Sequence, residues 1–116
     1  MIKNSSLSVL GPVLGLLLLL TAPMALQAKG DAAAGQEKAK VCEACHGPTG
    51  KSVDPTYPNL AGQYRSYLMQ ALSDYRSGSR TNAIMAGFAT NLSNQDIADL
   101  SAWFSKQEGL KDLKIK

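Results

Sequence analysis

Five residues constrain this chain more than any others: Cys42-Glu43-Ala44-Cys45-His46. They contain both cysteines of the chain and its only histidine. Three chemistries use such a set. A thiol–disulfide pair uses two cysteines at this spacing, but its motif normally opens a helix after a strand of a βαβ unit, and no such pattern surrounds Cys42. A closed zinc site needs four ligands, commonly Cys or His, and one histidine with two cysteines falls short of that. Attachment of haem c uses the whole motif. Each thiol adds across one vinyl group, and the side chain that follows, His46, is directed beneath the iron. We read the motif as a haem c site.

The chemistry requires export, and the N-terminus provides for it. Lys3 is followed by an almost wholly apolar run over residues 9–20 that ends in five leucines, then by the small residues Thr21, Ala22, Ala25 and Ala28. A charged start, a short apolar stretch and small residues at the cut are the order of a secretory signal peptide. Cleavage is expected after Ala28, although Leu26 is larger than usual at the third position before a cut. This divides the chain into a signal peptide, residues 1–28, and a domain, residues 29–116. The alternative, an uncleaved anchor, is disfavoured because the run is short for a span and Pro12 and Pro23 interrupt it. Periplasmic localisation follows.

A domain of this size has little core of its own and usually needs a staple, a metal or a cofactor. A disulfide within the motif would close too small a ring to constrain the unfolded chain much. A covalently held haem would add a large apolar surface to the core. Twelve basic and nine acidic side chains give a net charge of +3, which becomes +2 without Lys3. Two haem propionates would bring this near zero. The charge is too small to indicate nucleic acid, and no basic cluster with interleaved aromatics is present.

The rest of the chain reads as helices joined by irregular stretches. Residues 31–41 form a first helix capped by Asp31, with Gly35 and a row of alanines making one side small enough for another helix to approach closely. Residues 47–62 are rich in Gly and Pro. A structureless stretch of that length in a compact domain calls for a function, and wrapping a flat cofactor is one. Residues 64–77 carry a continuous apolar stripe of Tyr64, Tyr67, Leu68, Ala71, Leu72 and Tyr75. Gly78 terminates this helix, and its tyrosines are read as core packing. Residues 79–92 read as irregular. Ser93 caps a last helix, with Asp96 completing a capping box, Ile97, Leu100, Trp103 and Phe104 on its buried edge, and Gly109 at its end. The tail over residues 110–116 packs lightly or frays.

A haem iron has two axial positions, and His46 takes one. Candidates for the other are Met85, Met69, a lysine or nothing. Met69 lies off the apolar stripe of its helix. Met85 stands among small residues in a flexible loop, where the backbone can bring it to the far face of the haem, and it is the preferred ligand. Closing both positions leaves none for oxygen or substrate. The neutral thioether favours ferrous iron. The expected function is single-electron transfer rather than enzymatic turnover.

These motifs resemble the class I cytochromes c, especially the small bacterial members that occur singly or as one half of diheme cytochromes c. The resemblance rests on Cys42-Glu43-Ala44-Cys45-His46-Gly47, on Tyr57-Pro58-Asn59-Leu60-Ala61-Gly62-Gln63, on Tyr67-Leu68 with Asp74 and Gly78, and on Met85, Leu92-Ser93 and Asp96-Ile97. It implies an all-α fold of three main helices and long loops around one covalent haem c. It further implies that the first and last helices cross, with Gly35 and Ala39 accepting Trp103 or Phe104. The Pro58 carbonyl would accept the free N–H of His46, and Leu60 would pack on the haem. Where diheme relatives continue into a second domain, this chain is expected to stop. The expected partners are a donor and an acceptor among respiratory or periplasmic oxidoreductases, met by a monomer that touches the membrane only through a membrane-bound redox partner. The alternative is the same domain as the cytochrome subunit of a larger oxidoreductase, such as a sulfur-compound-oxidising flavoprotein.

Overall fold

The computed structural model describes residues 28–109. The segment expected to be a signal peptide, apart from Ala28, and the tail over residues 110–116 lie outside the described residues. Within them the helices are α1 (Ala32–Lys38), continued by a 3-10 turn (Ala39–Val41), α2 (Glu43–His46), α3 (Arg65–Ser77), α4 (Ala83–Ala89) and α5 (Asn94–Ser105). No strand occurs among the described residues, which agrees with the all-α expectation.

The starts of α1, α4 and α5 follow side-chain caps. Asp31 accepts from the N–H groups of Ala33 and Ala34 and begins α1. Ser93 and Asp96 form a reciprocal capping box at α5, which satisfies donors that the first turn of a helix leaves without partners. At the other end of α3, Gly78 adopts φ 83° as a left-handed cap. Residues 79–92, expected to be irregular, contain α4. Asn82 caps it by accepting from the N–H of Met85, and Ala83, Ala86 and Ala89 supply helix propensity that outweighs Gly87. The last helix also ends earlier than expected, at Ser105. The Phe104 carbonyl near its end accepts from the N–H of Gln107 at 3.2 Å and from the N–H of Gly62 at 2.9 Å, so the loop after α2 takes part in finishing α5.

α1 and α5 form the most extensive helix pair. Their approach is backbone to backbone at Gly35, where any Cβ would overlap the Asp99 carbonyl and come within 2.9 Å of the Trp103 Cβ. Ala39, Leu68, Leu100 and Phe104 make the core cluster, with Trp103 packed against it. The crossing implied by the resemblance is therefore present. It is fastened by a polar cluster that was not foreseen. Asp99 is only 2% exposed and accepts from the backbone N–H of Asp31 at 2.8 Å, from Lys38 Nζ at 2.6 Å and from Gln95 Nε2 at 2.7 Å. Lys38 also pairs with Asp96 at 2.8 Å. Burial pushes the Asp99 carboxyl up, but its three donors outweigh this and hold it below the usual carboxylate range. Lys38, then Ser93, holds the Asp96 carboxyl down to about 2.

The breaker-rich loop after α2 is stitched together rather than loose. Gly50, at φ 85°, offers its carbonyl to the N–H groups of Leu60 and Ala61 at 2.7 and 3.1 Å. A Cβ on Gly50 would lie 2.8 Å from both the Ala61 nitrogen and Phe104 Cδ1. Val53 donates to the carbonyl of Cys45 at 3.3 Å, and Ser52 donates to Asn59 Oδ1 at 2.8 Å. These bonds fold residues 47–62 back over α2 and bring Pro58 and Leu60 beside it.

Candidate functional site

α2 is a single turn, and that is enough to organise the motif. Residues at i, i+3 and i+4 share one helical face. Cys42 stands at the N-cap of α2, and its carbonyl accepts from the N–H groups of Cys45 and His46 at 3.3 and 2.9 Å. The two thiols and the imidazole are thereby aligned along one side. Gly47 ends the turn at φ 77° and releases the chain into the loop.

His46 is 6% exposed. Its Nδ1 lies 2.8 Å from the Pro58 carbonyl oxygen. A carbonyl can only accept, so Nδ1 carries a proton, and in the neutral ring Nε2 is the nitrogen with the lone pair. Tyr57 meets the ring edge-on, with centroids 6.5 Å apart. The imidazole is thus held in orientation and tautomer by the loop, as the resemblance implies, with its basic nitrogen available for a ligand bond.

Two cavities adjoin this face. The inner one, about 160 Å³, is bordered by Leu60, Leu68, Leu72, Leu100 and Phe104 among others. The outer one, about 400 Å³, is bordered by Val41, Ala44, Ile84 and Phe88. Cys42, His46, Pro58, Tyr75 and Met85 border both, so the two are parts of one cleft between α2, α3 and α4. Its walls are largely apolar. Protein interiors are otherwise close-packed, and a domain with so small a core has little to spare for an apolar cleft of this size unless a guest fills it.

The residues present fit haem c. The guest would have to be apolar and flat, with an edge that reacts with thiols, and would find a basic imidazole nitrogen and a thioether on the walls. Cys42 and Cys45 are free, half-buried thiols. Burial, with smaller contributions from Glu43 and Cys45, pushes the Cys42 thiol above its ordinary value. Reactive cysteines of thiol–disulfide enzymes have lowered values instead. No group of three or more His, Cys, Asp or Glu side chains among the described residues could hold a metal ion.

The structure brings Cys42, His46, Pro58, Leu60 and Met85 together at the inner cavity and places Cys45 at the outer one. Met69 borders neither cavity. One expectation needs correction: Met85 stands in the first turn of α4 rather than in a flexible loop, and Asn82 Oδ1 accepts from its N–H at 3.0 Å. The helix cap therefore sets where Met85 can reach. The tyrosines of α3 also differ from the expected core packing. Tyr64 and Tyr67 are about half exposed, while Tyr67 and Tyr75 border the cleft. Sequence reasoning missed Ser101, whose fully buried Oγ has no hydrogen-bond partner beside the inner cavity. It also missed Arg80 on the same wall. No local sequence signal marks either one.

Comparison with known proteins agrees with this geometry. The family model for cytochrome c matches residues 32–108. The cytochrome c4 of Pseudomonas aeruginosa is 49% identical over 96 residues, covering 83% of this chain and 48% of that protein. Cytochrome c-554(548) of Halomonas halodenitrificans is 48% identical over 82 residues, covering 68% of this chain and 99% of that protein. The crystal structure of reduced recombinant cytochrome c4 from Pseudomonas stutzeri superposes with a TM-score of 0.66 at 44% identity, covering 70% of this chain and 47% of that one. The chain spans about half the length of the cytochromes c4 that it matches. With its helical fold, its attachment motif and these relatives, the chain belongs to the cytochrome c family.

Proposed function

We propose that this chain carries single electrons through one covalently bound haem c. Cys42 and Cys45 would form the thioethers, His46 and Met85 would hold the iron, and Pro58 and Leu60 would complete the pocket. The observation that carries this reading is that His46, from α2, and Met85, from α4, border both cavities of the one cleft. When bound, the iron supplies a one-electron couple. The chain's part is to hold that couple still and dry. The Pro58 carbonyl fixes the imidazole, the Asn82 cap fixes Met85, and Leu60, Leu68 and Phe104 exclude water. With His46 and Met85 both holding the iron, no site would be left there for a substrate, which supports a carrier rather than an enzyme. The reading places the mature domain, residues 29–116, in the periplasm after removal of residues 1–28.

The exposed apolar side chains Val41, Ile84 and Phe88 rim the outer cavity. An apolar rim around a cofactor cleft suits contact with another redox protein. The same rim serves a transient donor or acceptor and a permanent catalytic subunit, so the alternative of an oxidoreductase subunit is separated by purification. A free carrier elutes from the periplasmic fraction as a monomer. A subunit co-purifies with its enzyme.

The visible spectrum of the exported protein tests the ligation. Sharp low-spin bands are expected, with the weak red band of a ferric iron–thioether bond. Met85→Ala removes the red band and lowers the midpoint potential; Met69→Ala leaves both in place. Survival of the red band in Met85→Ala would overturn the ligand assignment.

A further inference from the structure

Haem c carries two propionates on the edge opposite its thioether bonds, so a cleft that holds the ring must also receive two carboxylates. Positive charge is scarce there. Arg80 is the one Lys or Arg among the described residues that borders the cleft, and no Asp or Glu borders it. Arg80 is also held in place. Its backbone N–H donates to the Asp74 carbonyl at 3.1 Å, closing the turn after α3. Its guanidinium lies over the Tyr75 ring, 4.9 Å from the centroid, and Nη1 donates to the Tyr67 hydroxyl at 3.3 Å. Both tyrosines border the same inner cavity.

These contacts leave most of the guanidinium unused, since it offers five N–H donors in a planar fork. The nearest acid by chain position, Asp74, is engaged by Gln70 Nε2 at 2.7 Å, and Arg80 forms no ion pair with an Asp or Glu among the described residues. A planar fork matches a carboxylate with two parallel hydrogen bonds. Stacking on one ring and bonding to another hydroxyl removes side-chain freedom in advance, which lowers the cost of binding. Tyr67 is 49% exposed, so a carboxylate bound beside it keeps part of its hydration.

We infer that Arg80, steadied by Tyr67 and Tyr75, is the positioning residue that anchors a haem propionate. The inference rests on the reading of the cleft as a haem site. Arg80 fixes the carboxylate and keeps a positive charge beside the ring, which favours the less positive ferrous state and raises the midpoint potential.

Resonance Raman spectra of the haem-loaded full chain test the contact through the propionate bending band, which responds to hydrogen bonding at that carboxylate. A redox titration accompanies them. In Arg80→Gln the band shifts and the midpoint falls. In Arg80→Lys the band also shifts, because an ammonium lacks the fork, while the retained charge keeps most of the midpoint. Tyr67→Phe gives a smaller shift in the same direction. Lys106→Gln, which removes a surface charge from the end of α5, moves neither reading. An unshifted band in Arg80→Gln overturns the inference even if the midpoint falls, since any nearby charge would do that much. If Arg80→Gln does not mature, the band in Arg80→Lys decides the matter by the same criterion. Failure of the wild-type chain to hold covalent haem would remove the underlying reading as well. A haem-loaded variant with its band unmoved removes this inference alone.

Discussion

The α1–α5 crossing and the cleft between α2 and α4 solve the same problem in opposite ways. At the crossing, Gly35 lets two backbones meet, and Asp99 binds α1 and α5 through three donors drawn from both. Its fastening comes from groups of the chain itself. At the cleft, apolar walls face one another without touching, and polar atoms among them, His46 Nε2, the two thiols, Ser101 Oγ and the Arg80 guanidinium, have chemistry in reserve. One region is finished by the chain; the other is finished by what the chain binds. Haem should therefore stabilise the two regions unequally.

The largest expected effect breaks the second region alone. The double variant Cys42→Ser/Cys45→Ser retains no covalent haem after denaturing extraction. Hydrogen exchange should show α3 and α4 losing protection while amides of α1 and α5 keep more of theirs. Equal loss in all helices would show that the crossing depends on the guest too. Gly35→Ala tests the reverse case. Its new methyl group must push α1 from α5, at about 1–3 kcal/mol for overpacking, while the visible spectrum of the loaded protein stays unchanged. Asp99→Asn removes the anion that Lys38 and the Asp31 N–H share. We expect a loss of about 1–3 kcal/mol in denaturant titration, as for a buried polar group left short of its partner.

A smaller effect follows from acid. The carboxyls of Asp96 and Asp99 lie below their ordinary values in the folded state, Asp96 at about 2. An acid with a depressed folded value protonates first in the unfolded chain. The stability it contributes is therefore present above the ordinary carboxylate value and is lost on acidification, for Asp96 as the pH falls toward about 2. Asp99→Asn should show a shallower loss on acidification than the parent chain. An unchanged slope would mean that Asp99 does not act as a charged fastener.

What could be read in advance was local, and what could not was distant. The motif from Cys42 to His46, the caps Asp31 and Ser93, the stripe on α3 and the stop at Gly78 each lie within a few residues of what they specify. The Lys38–Asp99 bond joins residues 61 apart, and no local pattern announces it. Arg80 looks like one more loop cation until the fold sets it between Tyr67 and Tyr75. α4 is a different case. Its signal, Asn82 before a run of small residues, was visible but was read as loop because Gly87 and the alanines suggested flexibility rather than a capped helix. The small residues around Met85 suggest a mobile side chain, whereas its place beside the cleft is set by the cap.

The compactness of the α2 turn bears on the order of assembly. On the proposed ligation, the two bond-forming thiols and the first iron ligand lie within five successive residues, and a single helical turn suffices to align them. That half of the site can be presented by a chain that has no tertiary structure yet. Met85 comes from a separate helix that packs on α3, so its bond waits for the fold. On that ligation, covalent capture by Cys42 and Cys45 can come early and the Met85 bond last, and the chain would become a competent carrier only when the second ligand arrives.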